Sequence, residues 1–273
     1  MNKFLVILLF LSTFSFSQET STIKTVSKKG SIFFYWGWNR SIYSTSDITF
    51  KGNNYDFTLK DVEARDRQSK FDPNVYLNLS AITIPQYNFR LGYFINEKYS
   101  LSFGSDHMKY VMRSYQTKEI DGVINNGSIY DGTYHNDQFN INPDFLKFEH
   151  TDGLNYLNLE LRRQDKLHEL GPVNANFISG VGAGILLPRS NTTLMSNPRY
   201  DQFHLAGLGV GAVIALNIEI YKRFFIQTEL KGGFIDMPSI RTTMFRADRA
   251  SQHFSFLQTN VVFGFNFNYN KKK

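Results

Sequence analysis

Between His253 and Tyr269 the chain reads HFSFLQTNVVFGFNFNY, and from Leu257 onward it alternates without a break. Leu257, Thr259, Val261, Phe263, Phe265, Phe267 and Tyr269 form one set, and Gln258, Asn260, Val262, Gly264, Asn266 and Asn268 the other. A period of two over this length defines a strand with two dissimilar faces. A soluble strand would bury the aromatic set and show its asparagines to water. A strand of a membrane barrel does the reverse, turning its apolar set to lipid and its small and polar set to the lumen. The choice between these rests on the remainder of the chain.

Residues 1–17 carry Lys3, the apolar run Phe4 to Phe10 and the small pair Ser15 and Ser17 before Gln18. That is the charge, core and cleavage order of a secretory signal peptide, and the apolar run is too short for a helical span. The division expected is therefore a signal peptide at 1–17, a periplasmic segment at 18–29, a barrel at 30–270 and a basic tail at 271–273. The sequence holds no cysteine, which removes disulfides, thiolate metal sites and cysteine nucleophiles. Phe and Tyr are abundant, at 26 and 15 residues, and no stretch past the signal sustains a helical apolar period. A membrane protein of this composition must cross as a closed barrel, because only helices and barrels satisfy the backbone in hydrocarbon.

Alternation marks about eight strands: Ser31 to Tyr43, Tyr87 to Ile95, Tyr99 to Met112, Leu154 to Arg163, Asn176 to Leu187, Phe203 to Tyr221, Phe224 to Asp236 and the C-terminal stretch. The connections sort by length. Asn96 to Lys98, roughly ten residues from Gln164 to Pro172, and Lys222-Arg223 lie at one end. At the other end lie Ser44 to Gln86, Arg113 to Gly153, Pro188 to Gln202 and Met237 to Gln252. Short periplasmic turns opposite long extracellular loops are the pattern of an up-and-down antiparallel transmembrane β-barrel. Leu208, Val210, Ala212, Ile214, Leu216, Ile218 and Ile220 alternate with Gly207, Gly209, Gly211, Val213, Ala215, Asn217 and Glu219. Faces of the second kind are too polar and too glycine-rich for a hydrophobic interior, so they are assigned to the lumen. Glycines at two-residue spacing, here and at Gly180, Gly182 and Gly184, are read as small positions over which large neighbours pack. In the first long loop, Asp47 to Lys51 and Tyr55 to Val62 flank a Gly52-Asn53-Asn54 turn and form a hairpin above the membrane. Were it inserted, the ring would have ten strands. Asn125-Asn126-Gly127 marks a second hairpin turn.

The chain resembles the small eight-stranded outer-membrane proteins of the OmpA-barrel, OmpX and OmpW kind, over its whole length past the signal. The resemblance rests on alternation, loop asymmetry and the aromatic last strand, and the signal ending Ser-Phe-Ser-Gln is like those of Bacteroidetes. It implies a Gram-negative outer membrane as location, with outer-membrane lipids and lipopolysaccharide as neighbours. It also implies contact with the barrel-assembly machinery through the C-terminal strand, where Tyr269 takes the terminal aromatic role ahead of the lysines.

The assigned faces turn Arg90, Asp106, Glu160, Arg162, Glu219, Glu229 and Lys231 inward. Eight strands leave a lumen just wide enough for side chains to fill it, and buried charges need partners. These residues therefore form either a salt-bridged plug or the lining of a narrow gated pore. Trp36, Trp38, Phe267 and Tyr269 are the candidates for an interfacial aromatic girdle. The overall role expected is structural, surface contact or a narrow pore.

An alternative is a lipid-modifying hydrolase working at the outer rim. His107 and His150 lie at strand ends near Asp106 and Asp152, and a histidine can serve as general base for a hydroxyl nucleophile. The segment His150 to Asn155 is similar to the His-x-Ser-Asn neighbourhood of lipid A deacylases of the PagL type, with Thr151 in place of serine. No cofactor or metal is expected. The net charge of +6 is spread over termini and turns, which speaks against nucleic-acid binding.

Overall fold

The computed structural model describes residues 27–78, 80, 84–200 and 202–267. The signal peptide, Tyr269 and the lysine tail lie outside them. In chain order the strands are β1 Ile32–Tyr43, β2 Ser46–Gly52, β3 Tyr55–Val62, β4 Ala64–Arg65, β5 Tyr87–Phe94, β6 Tyr99–Asp106, β7 Tyr110–Met112 and β8 Gln116–Ile124. There follow β9 Gly132–Ile141, β10 Leu146–His150, β11 Tyr156–Leu170, β12 Val173–Leu186, β13 Asn191–Leu194, β14 Gly207–Ile220, β15 Phe224–Arg241 and β16 Arg249–Phe267.

Eight strands close a ring in the order β1, β5, β6, β11, β12, β14, β15, β16, every neighbour antiparallel. Pairing of β1 with β16, from Ile32↔Phe267 to Tyr43↔Phe256, completes it. The C-terminal strand is thus the closing stave. Its outward Leu257, Val261, Phe263, Phe265 and Phe267 stay exposed, whereas Gln258, Asn260 and Val262 are buried. On β14, Leu208, Val210, Ile214, Leu216 and Ile218 are likewise exposed. A closed ring wrapped in an apolar belt is a membrane-spanning surface, since closure satisfies every ladder hydrogen bond in lipid. Fold and exterior are those of a transmembrane β-barrel.

The ring has eight strands rather than ten. The β2–β3 hairpin does not insert; it pairs with the upper end of β16, from Arg249↔Lys51 to Gln252↔Ile48, above the level where β1 ends. Several strand limits also move. The ladder of β11 and β12 runs on to Leu170↔Val173, so the connection at Gln164 to Pro172 is a tight turn on a longer hairpin. β15 and β16 continue to Arg241↔Arg249, shortening the Met237 to Gln252 connection. Conversely, the stretch Tyr99 to Met112 breaks after Asp106, and its last residues join another sheet as β7. Apolar alternation stops where lipid stops, whereas backbone pairing has no reason to.

The long extracellular connections fold into a cap. One arm, β2-β3-β8-β9, extends the barrel sheet, and a separate sheet has the order β13-β10-β7-β4. Phe50 of β2 stacks on Phe57 of β3 with ring centroids 5.3 Å apart, and meets Phe148 of β10 edge-on at 5.6 Å. Phe57 also touches Phe145 at 5.6 Å. Ile48, Leu59, Ile120, Leu146 and Leu194 complete a buried core between the two sheets. The same cluster includes Tyr156, Phe254 and Phe256, so it reaches down into the mouth of the ring.

Ile214 lies midway along β14 on the lipid face. Ile214→Arg is expected to destabilise the folded barrel by about 2–4 kcal/mol, as a charge at mid-membrane does. Ile214→Leu should be neutral, with urea titration followed by heat-modified gel mobility as the readout.

Candidate functional site

Inside the ring, Arg90 on β5, Asp106 on β6, Glu160 and Arg162 on β11, and Glu229 and Lys231 on β15 are all buried. Glu160 sits where three cations meet. Its Oε1 lies 2.9 Å from Arg90 Nη2 and 2.7 Å from Lys231 Nζ, and its Oε2 lies 2.6 Å from Arg162 Nε. Arg162 Nη1 reaches Glu229 at 2.6 Å, and Lys231 also bonds Asp106. Three cations face three carboxylates, so the group is neutral as a whole.

Neutral side chains complete the remaining bonds. The Tyr35 hydroxyl accepts from Arg90 Nε at 3.0 Å and Arg162 Nη2 at 2.9 Å, and donates to Glu229 at 3.0 Å. Asn158 donates to Asp106 at 2.9 Å and accepts from Arg90 at 2.9 Å. Gln227 and Asn260 donate to Glu229 at 2.6 and 2.7 Å. Buried charges persist when every lone pair and proton finds such a partner, and removing one member of a buried pair typically costs about 3–5 kcal/mol. Glycines make the room. A Cβ at Gly182 would stand 2.5 Å from Glu160 Cγ, and one at Gly180 2.8 Å from Arg162 Cγ.

Glu219 takes no part in this network. It lies at the periplasmic mouth, 3.4 Å from Lys28, and accepts from Asn266 at 2.6 Å.

The lumen is not polar throughout, contrary to the reading of its face as too polar for an apolar interior. Below the ion pairs Phe33, Phe94, Phe225 and Val262 pack together with the Tyr35 ring. Above them Tyr156, Phe254 and Phe256 form the floor of the cap core. Inward glycines hide this layer from a sequence reading, because rings from neighbouring strands lie across them. A Cβ on Gly92 would meet Phe33 Cζ at 2.2 Å, and one on Gly264 would meet Phe225 Cζ at 2.3 Å. Lys231 Nζ lies 4.9 Å from the Tyr156 ring centroid, joining the ionic layer to the upper apolar one. A void of about 20 Å³ beside Arg162 has room for about one water molecule.

The rim histidines are dispersed. His150 is wholly buried in the cap, its Nδ1 2.8 Å from Ser190 Oγ and its Nε2 3.2 Å from Gln252 Nε2. Burial, assisted by His204, pushes its pKa down to about 3, so it is uncharged at neutral pH. His107 stacks on Tyr87 with centroids 4.8 Å apart and meets Asn155 Oδ1 at 2.8 Å. Asp152 pairs with Arg189 at 3.5 Å and Arg199 at 3.4 Å rather than with either imidazole. Ser190, the hydroxyl that does meet a histidine, is only 1% exposed. It stands on the Pro188 to Gln202 connection, and no sequence spacing links it to His150. Asp106, read as a neighbour of His107, is instead committed to Lys231 and Asn158.

On the outer wall Trp36 and Trp38 meet edge-on at 4.7 Å, and Trp38 is flanked by Phe263 and Tyr76. Phe267 is exposed at the periplasmic end. Among the described residues no cluster of three His, Asp or Glu side chains is placed to hold a metal ion.

No protein-family model matches the chain, and no curated protein does. Among solved structures it is similar to the outer membrane protein OprG from Pseudomonas aeruginosa, at 9% identity and a TM-score of 0.39, over 88% of this chain and 97% of that one. It is also similar to the outer membrane protein AlkL in DMPC lipid bilayers, at 9% identity and a TM-score of 0.41, over 94% of this chain and 100% of that one. Likeness at this level carries no functional argument.

His150 supplies a pH test. Its folded pKa lies below its ordinary 6.5, so the unfolded cap binds the proton first as pH falls. Cap stability is expected to be full above about pH 6.5 and to decline progressively toward pH 3. Protease resistance of the cap should follow that course, and His150→Gln should flatten it.

Proposed function

We propose that the protein is a sealed outer-membrane barrel whose working part is the folded cap it holds outside the membrane, so that its role is structural support of a surface-contact module. The observation that carries this is the neutral, fully bonded ion-pair group around Glu160, held between two apolar layers. A conducting pore needs a continuous aqueous path. Here the lumen is crossed by side chains that bond one another from wall to wall, and Tyr156, Phe254 and Phe256 lie across its upper end.

The hydrolase reading is the weaker one on the same geometry. A nucleophile must reach an acyl carbonyl, and the His150–Ser190 pair lies inside the cap core. Its third partner is the Gln252 amide, which cannot stabilise an imidazolium as a carboxylate does. A histidine with so low a pKa is also a poor general base near neutral pH.

Planar-bilayer recording of the refolded full chain tests the proposal. No discrete conductance steps are expected in 1 M salt. Glu160→Gln combined with Glu229→Gln leaves Arg90, Arg162 and Lys231 with a single carboxylate, and this variant is expected to show steps or to fail to fold. Steady conductance from the parent protein would overturn the sealed reading in favour of the narrow pore.

A further inference from the structure

The small cap sheet β13-β10-β7-β4 has an outward face unlike the rest of the surface. Its register sets Arg65 opposite Val111, Val111 opposite Glu149 and Glu149 opposite Asn191. The alternate residues Tyr110, Met112, Phe148 and His150 enter the core. Continuing the alternation places Arg67, Lys109 and Arg189 on the same outward face one step nearer the barrel, and Arg113 and Lys147 one step farther away.

Cations outnumber carboxylates here. Arg67 reaches Glu149 at 3.2 Å, Arg113 reaches Glu63 at 3.8 Å, and Arg189 pairs with Asp152. No carboxylate among the described residues forms an ion pair with Arg65 or Lys147. The cations also act on one another: the Lys109 ammonium is held below its usual pKa, first by burial and then by Arg67, against the smaller opposing pull of Asp152 and Asp66. β7 and β10 pair only through Val111–Glu149 and Tyr110–His150. A hollow of about 640 Å³ lies over this face, lined by Arg65, Arg67, Arg113, Tyr115 and Lys147 together with the carboxylate of Glu149.

Position in the membrane selects the occupant. The sheet rises directly from β6, β11 and β12, whose Phe103, Leu101, Leu159 and Val181 face lipid. Lys109 follows Phe103 by six residues, at most about 20 Å at about 3.3 Å per residue. An apolar ring meets the cations here, for Arg189 lies over the exposed Phe203 ring at 5.8 Å. Hydrocarbon below, mixed apolar and cationic groups at the boundary and cations above fit an amphiphile with acyl chains and an anionic head. A soluble polyanion would have no use for the lower part.

We propose that this face binds lipopolysaccharide of the surrounding outer leaflet, with its acyl chains along β6, β11 and β12 and its phosphates on Arg65, Arg67, Lys109, Arg113 and Lys147. The proposal requires the cap to face outward, and it holds whether or not the lumen is sealed.

The refolded full chain in detergent would be titrated with purified lipopolysaccharide, with native mass spectrometry counting bound molecules. The variant Lys109→Gln/Arg113→Gln/Lys147→Gln is expected to bind about tenfold more weakly or worse, since it removes three of the five cations assigned to the phosphates. Its remaining affinity should depend less on salt. The periplasmic control Lys166→Gln/Lys222→Gln/Arg223→Gln should bind within about twofold of the parent, and Lys109→Arg/Lys147→Arg should retain binding; heat-modified gel mobility would check that each variant is folded. Equal binding by parent and triple variant would overturn the proposal, as would equal loss in the periplasmic control. Dephosphorylated lipopolysaccharide binding as tightly as the parent lipid would also overturn it. Heparin, a polyanion without acyl chains, competing as well as lipopolysaccharide would point instead to a soluble glycan and overturn the assignment to lipid.

Discussion

Glu160 accepts three cations at once, and the rest of the barrel interior is arranged to make that possible. Each cation it holds has a second anchor: Arg90 on Asn158, Arg162 on Glu229, Lys231 on Asp106. The anchors belong to strands on different sides of the ring, so the network ties β5, β6, β11 and β15 across the lumen. Were one charge left without a partner, its desolvation would favour opening the wall. Glycines on β12 face this group because the stems of Glu160 and Arg162 lie against that strand.

The apolar layers above and below give these ion pairs their setting. A charge pair in water contributes little, and one shielded from water interacts far more strongly. The lower layer of Phe33, Phe94 and Phe225 flanks the ion pairs on the periplasmic side, around the water-sized void at Arg162, and the upper layer belongs to the cap core. Barrel and cap are therefore continuous through Tyr156, Phe254 and Phe256, and the cap is a second hydrophobic core built on the first. That continuity makes the outer sheet a rigid support for the cations it displays beside the leaflet.

Much of the barrel was legible in the sequence, because alternation against lipid leaves a period-two record that one strand carries alone. Leu157, Leu159 and Leu161 opposite Asn158, Glu160 and Arg162 fix both faces of β11 without any other strand. The hairpins β2–β3 and β8–β9 were visible through Gly52-Asn53-Asn54 and Asn125-Asn126-Gly127, which are turn signals acting locally. What escaped is what depends on distant partners. β7 and β13 are short, and their pairing with β10 follows from the closure of the whole ring. Ser190 meets His150 only because the connection above β12 folds back over β10. The inward Phe33 and Phe225 were not singled out, because the glycines that receive them, Gly92 and Gly264, lie on other strands.

The central claim is that the lumen excludes water at the level of Glu160. Nuclear magnetic resonance of the Lys231 ammonium, assigned by its loss in Lys231→Arg, observes that level directly. A paired group shut away from solvent should give a resolved signal at neutral pH whose protons exchange far more slowly than those of the exposed Lys51 and Lys98. Exchange at the rate of those surface lysines would mean that water passes through the barrel, and would contradict the account.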